Sequence, residues 1–63
     1  MNRIVQIIMK RDNISQEEAE ELFTVAKEEA QSAVDGGDIF AVEAILSDHF
    51  GLEPDYVFDL IDL

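Results

Sequence analysis

The sequence predicts an all-α fold, a compact bundle of three main helices plus a short C-terminal one, in a single helical domain spanning residues 1–63. Three observations carry this reading. Apolar residues recur at helical spacing through most of the chain. Helix-starting residues stand at Ser15 and Asp38, and helix-stopping or turn residues at Asp12-Asn13, Gly36-Gly37 and Gly51 to Pro54. The connections between these marks are short, which favours antiparallel neighbours.

The first segment runs from about Asn2 to Arg11, with Ile4, Val5, Ile7, Ile8 and Met9 apolar. Such a short Ile/Val-rich run also suits a strand. The accompanying Arg3, Gln6, Lys10 and Arg11 are good helix formers, so helix is preferred. Asp12-Asn13 is a natural break, because asparagine tolerates the left-handed conformation that ends helices. The five apolar positions surround more of a helix than one neighbour covers. They are therefore the candidate subunit interface, with a homodimer as the simplest closed form. The alternative is that the bundle wraps this helix on both sides.

The second helix opens with Ser15-Gln16-Glu17-Glu18, a capping box in which the Ser15 hydroxyl accepts from the Glu18 amide and the Glu18 carboxylate reaches back. Ile14 precedes the cap and is placed to staple onto the apolar side. Ala19, Leu22, Phe23, Ala26, Ala30, Ala33 and Val34 then recur at helical spacing. The alanines allow another helix to approach closely, and Gly36-Gly37 ends the element.

Asp38 is a good N-cap for a third helix running from Ile39 to about Phe50, with Val42, Ile45, Leu46 and Phe50 inward and Gly51 just past its end. Pro54 suits the first position of a short fourth helix. Its apolar stripe is Val57, Leu60 and Ile61, flanked by Tyr56 and Phe58.

Sixty-three residues make a marginal domain. A chain this short buries only about 60% of the surface its unfolded form exposes, and its core supplies about 3–5 kcal/mol unless something else staples it. With no cysteine, disulfides and thiolate metal sites are excluded. His49 alone builds no zinc site, which leaves self-association as the available staple. No stretch approaches the ~20 apolar residues of a membrane span. The N-terminal apolar run is too short for a signal peptide, is interrupted by Gln6, and leads to Lys10-Arg11-Asp12 instead of a cleavage site. The expected location is the cytoplasm.

Charge is the most unusual feature. Fifteen acids face four bases, for a net charge of -11. Arg3, Lys10 and Arg11 precede every acid, and from Asp12 onward Lys27 alone opposes all fifteen, so residues 12–63 carry -14. This field disfavours direct binding to nucleic acid or an anionic membrane and points to a basic protein partner.

Catalytic chemistry is not expected. The chain is scarcely long enough to enclose a pocket with convergent polar groups. His49, in a last helical turn, is expected to serve the helix dipole and a carbonyl. The pairs Glu17/Glu18, Glu20/Glu21 and Glu28/Glu29 lie on the solvent side of the second helix. Asp35-Gly36-Gly37-Asp38 lacks the ligands of a calcium loop and reads as two adjoining caps. No cofactor is expected. On the second helix Glu17, Glu21, Glu28 and Asp35 share the outer side over roughly 27 Å, while Asp48, Asp55, Asp59 and Asp62 add charge elsewhere. Such an array suits a groove shaped for phosphates, the principle of an acidic inhibitor that mimics DNA. The alternative is that these acids confer solubility only.

Arg11-Asp12-Asn13-Ile14-Ser15 with Glu18-Ala19, and later Gly51-Leu52-Glu53-Pro54-Asp55-Tyr56 continuing through Leu60, form a recognisable pair. Together they resemble small acidic helical proteins of tailed bacteriophages and prophages. Those follow the pattern Arg-Asp-Gly-x-Ser-x-x-Glu-Ala, a long helix, a Gly-Asp turn, and Gly-Leu-Glu-Pro-Asp-Tyr. Gly37-Asp38 fills the middle turn, and Asn13 replaces a glycine. The resemblance implies a phage accessory protein in a bacterial cytoplasm and supplies no catalytic residues. Three functions follow as expectations: an interaction protein; an oligomer sequestering a signalling nucleotide, with Arg3, Lys10 and Arg11 at the phosphates; or a minor component of phage structure or assembly.

Overall fold

The element order is α1 (Arg3–Asp12), α2 (Gln16–Asp35), α3 (Ile39–Phe50), a 3₁₀ turn (Pro54–Tyr56) and α4 (Val57–Leu60). The computed structural model describes residues 2–61, and no strand occurs among them. Asp62, named above among the acids, lies outside the described residues.

The Ile/Val-rich first segment is a helix. Asn2 stands just outside it as the N-cap, its side chain accepting from the Ile4 amide at 2.7 Å. The same side chain donates to the Asp59 carbonyl at 2.6 Å, fastening the start of the chain to α4. The helix runs one residue beyond Arg11, and Asn13 ends it in the left-handed conformation at φ 55°. Local chemistry also sets both ends of α2. Ser15 Oγ accepts from the Glu18 amide at 3.1 Å. At the other end Gly37 takes φ 81°, and the amides of Gly37 and Asp38 donate to the carbonyls of Val34 and Ala33, both at 2.9 Å. That is the paired closure of a Schellman motif. Asp38 then caps α3, accepting from the Ala41 amide at 3.2 Å, and Gly51 closes it at φ 65°.

The core is built on a seam of alanines. Ala19, Ala26 and Ala30 are fully buried along α2, which packs against both α1 and α3. Small side chains let both neighbours come close, and larger ones fill the space beyond: Ile4, Val5 and Ile8 from α1, Val42, Leu46 and Phe50 from α3, and Val57, Leu60 and Ile61 at the C-terminal end. Phe23, Ile14 and Ile45 are partly buried against this cluster.

Two sequence expectations change here. Ile4, Val5 and Ile8, three of the five residues assigned to a subunit interface, are buried within their own chain; Ile7 and Met9 are half-buried. The bundle wraps α1 from both sides, because α2 covers one flank and α4 another. Leu22, expected inward, is 46% exposed. It lies about 60° round the helix from Ala19, at the edge of the seam, where its side chain is only about half covered.

Candidate functional site

With the apolar face of α2 turned inward, its outer face is a strip of carboxylates. Glu17, Glu20, Glu21 and Glu28 line one shallow surface strip together with Thr24 and Val25. Glu17, Glu21, Glu28 and Asp35 are all exposed, as expected. Asp35 continues the strip two turns beyond Glu28, because seven residues nearly complete two helical turns. Two of the acids are steadied by amides one turn away: Gln16 Nε2 donates to Glu20 at 3.1 Å, and Gln31 Nε2 to Asp35 at 3.5 Å. Glu17 and Glu18 sit in the first turn, where the helix dipole favours negative charge. No lysine or arginine lines the strip. Glu20, expected only as part of a solvent-side pair, and the 52%-exposed Val25, not singled out in the sequence, also join it; their i+3 and i+8 spacing from Glu17 was the available signal.

Three of the four bases, Arg3, Lys10 and Arg11, lie on α1, and the structure separates them. Arg3 and Lys10 line an open groove of about 440 Å³ along α1 with Gln6, Ile7, Met9 and Tyr56. Arg3 lies 4.9 Å from the centre of the Tyr56 ring, and its guanidinium donates through Nε (3.0 Å) and Nη2 to Asp59 Oδ2. That hydrogen bond, with the charge of Asp59 behind it, raises the Arg3 pKa. Arg11 is turned away from this groove. Its Nε and Nη2 donate to Asp12 at 3.1 Å each, and its Nη1 donates to the Phe50 carbonyl at the end of α3. The Asp12 hydrogen bond raises the pKa of Arg11, and the same bond lowers that of Asp12. The three cations expected to act together are thus divided between one groove and one helix end.

His49 stands in the last turn of α3, as expected, but its contact differs. Instead of a carbonyl, its Nε2 meets Glu29 Oε2 at 2.7 Å, tying the end of α3 to the middle of α2. Tyr56 is half-buried beneath Arg3. Among the described residues no three His, Asp or Glu side chains converge to hold a metal ion. No helix there is long and apolar enough to cross a membrane.

A third surface was not foreseen. Phe40 is 77% exposed and Phe58 73%, and the two line one groove of about 240 Å³ with Ile39, Glu43, Pro54 and Val57. Each phenylalanine was readable alone as lying off its helix's inward face. Their meeting depends on how α3 and α4 pack, which local spacing does not encode. Compared with protein-family models, curated proteins and solved structures, the chain matches none.

Proposed function

We propose that this chain is a non-enzymatic interaction protein, a phage accessory protein that presents the carboxylate strip of α2 to a basic partner. The sharpest form of this reading is an acidic inhibitor of a nucleic-acid-binding or defence protein of the bacterial host. The observation that carries it is the shared strip of Glu17, Glu20, Glu21 and Glu28, with Thr24 and Val25 between Glu21 and Glu28, on the solvent face of a twenty-residue helix. A rigid line of like charges costs the compact state through self-repulsion, and it steers an oppositely charged surface into contact. The test is affinity capture from bacterial lysate with wild type and with a Glu17→Gln/Glu21→Gln/Glu28→Gln variant. Washes at about 0.1 M and about 1 M salt bracket screening lengths of about 10 and 3 Å. A basic nucleic-acid-binding protein held only by wild type and only at low salt is the expected result. A partner indifferent to both salt and substitution contradicts it.

A second reading, a protein that sequesters a signalling nucleotide, is supported by the α1 groove, which places Arg3 and Lys10 beside Ile7, Met9 and the Tyr56 ring. The groove's volume lies within the usual range for small-molecule sites. This reading predicts that nucleotides raise the melting temperature and that Lys10→Ala abolishes the rise. No shift with any nucleotide removes it.

A further inference from the structure

We propose that the α1 groove binds an amphipathic monoanion, an apolar body with a single carboxylate at one end, whose charge is held by Lys10. Arg3, Ile7 and Lys10 share one side of α1, because four and seven residues nearly complete one and two helical turns. The same geometry sets the two cations about 10 Å apart along the axis. Between them along the helix stand the half-buried Ile7 and Met9, and the Tyr56 ring lies at the Arg3 end.

The two cations differ in what they have left to offer. Arg3 is committed: its guanidinium donates to Asp59 through two nitrogens and lies over the Tyr56 ring. Lys10 has no hydrogen bond or ion pair among the described residues. No acid lines the groove, although the chain carries a net charge of -11. Asp55 and Asp59 both bear electrostatically on Arg3, so the acids weigh on that end. One negative head group is therefore matched by Lys10. A polyphosphate reaching both cations would have to displace Asp59 and meet Asp55, and the negative field of the chain opposes each further charge on a ligand.

The rest of the lining selects the body of the ligand. Methionine is unbranched and polarisable and adapts to varied apolar shapes, while isoleucine and the tyrosine ring add fixed apolar surface. The volume of about 440 Å³ suits a small molecule. A body of about 10 Å, laid along α1 from Lys10, reaches the Tyr56 ring. This proposal goes beyond the nucleotide reading of the same groove. That reading needs Arg3 released from Asp59 and this one does not, so the two fail separately.

Tyr56 is the only tyrosine and there is no tryptophan, so intrinsic fluorescence reports on the groove itself. The experiment titrates wild type, Lys10→Gln and Lys27→Gln with decanoate, with its neutral counterpart decanol, and with inorganic triphosphate. Circular dichroism confirms that each variant keeps its helices. The expected result is a saturable change with decanoate, a weaker one with decanol and none with triphosphate. Lys10→Gln weakens decanoate binding by about five-fold, the upper range for an exposed ion pair, and leaves decanol as it was. Lys27→Gln, which removes the same charge from α2, binds decanoate like wild type. Equal losses in the two variants overturn the proposal, because net charge alone would then explain them. Decanol binding as tightly as decanoate overturns it, as does the absence of any change up to about 1 mM decanoate. A response to triphosphate without one to decanoate overturns it in favour of the nucleotide reading.

Discussion

The α1 residues Ile4, Val5 and Ile8 and the pair Phe40 and Phe58 are comparably apolar, yet the first three are buried and the pair stands in solvent. The difference lies in what surrounds each. Helix α1 lies along α2 and is fastened at its start to α4 by the Asn2–Asp59 hydrogen bond, so its apolar sides meet the alanine seam and the C-terminal residues. Phe40 projects from the first turn of α3, and Phe58 from a four-residue helix whose Val57 and Leu60, with the adjoining Ile61, already fill the core. In a chain this short the core is complete before its apolar residues are used up. The remainder is surface available for recognition.

Substitutions sharpen this contrast. The largest effect is expected from Ile8→Ala, at about 2–5 kcal/mol. That equals the whole stability of about 3–5 kcal/mol which a core of this size supplies, so the variant should lose its helical circular dichroism near room temperature. Phe58→Ala, measured in dilute solution, should stay within about 0.5 kcal/mol of wild type. Equal losses would break the comparison.

Next in size is Gly37→Ala, expected to cost about 1–2 kcal/mol in a urea titration. Its φ of 81° is unfavourable for any L side chain, although a Cβ there would touch nothing within 4 Å. Asp38→Ala should follow at about 1 kcal/mol through loss of the α3 cap; Asp38→Asn, which keeps the acceptor, should recover most of it. Both test the junction that sets where α3 begins, and hence where Phe40 projects.

The smallest effect concerns Asp12, whose carboxyl is held below its ordinary range by Arg11. A depressed folded-state pKa contributes stability that is present above the unfolded value and lost as pH falls through the folded value. Asp12→Asn should therefore lessen the acid-side decline in melting temperature and leave its neutral-to-alkaline course unchanged. An unaltered acid limb would show that the Arg11 pair does not contribute.

Where helices start and stop was legible because capping is local: Ser15 with Glu18, Asp38 with Ala41, and the glycines at positions 37 and 51 act within a turn of where they stand. The outer strip was legible for a related reason, since a seven-residue spacing returns Glu21, Glu28 and Asp35 to one side of a helix without reference to any neighbour. Burial of α1 was not, because it depends on residues more than fifty positions away, as the Asn2–Asp59 bond illustrates. The same holds for the Glu29–His49 pair and for the parting of Arg11 from Arg3. Leu22 failed at the margin, where a helical wheel gives the direction of a side chain but not the width of what covers it.

The contrast between buried and exposed apolar groups is tested most directly by fluorine NMR of protein carrying 4-fluorophenylalanine at its four phenylalanines, with a soluble paramagnetic probe added to a dilute sample. The account predicts strong broadening at Phe40 and Phe58 and little at Phe50, which is 4% exposed. Phe23, half-buried, should fall between them. Equal broadening of Phe50 and Phe58 in the dilute sample would contradict the account.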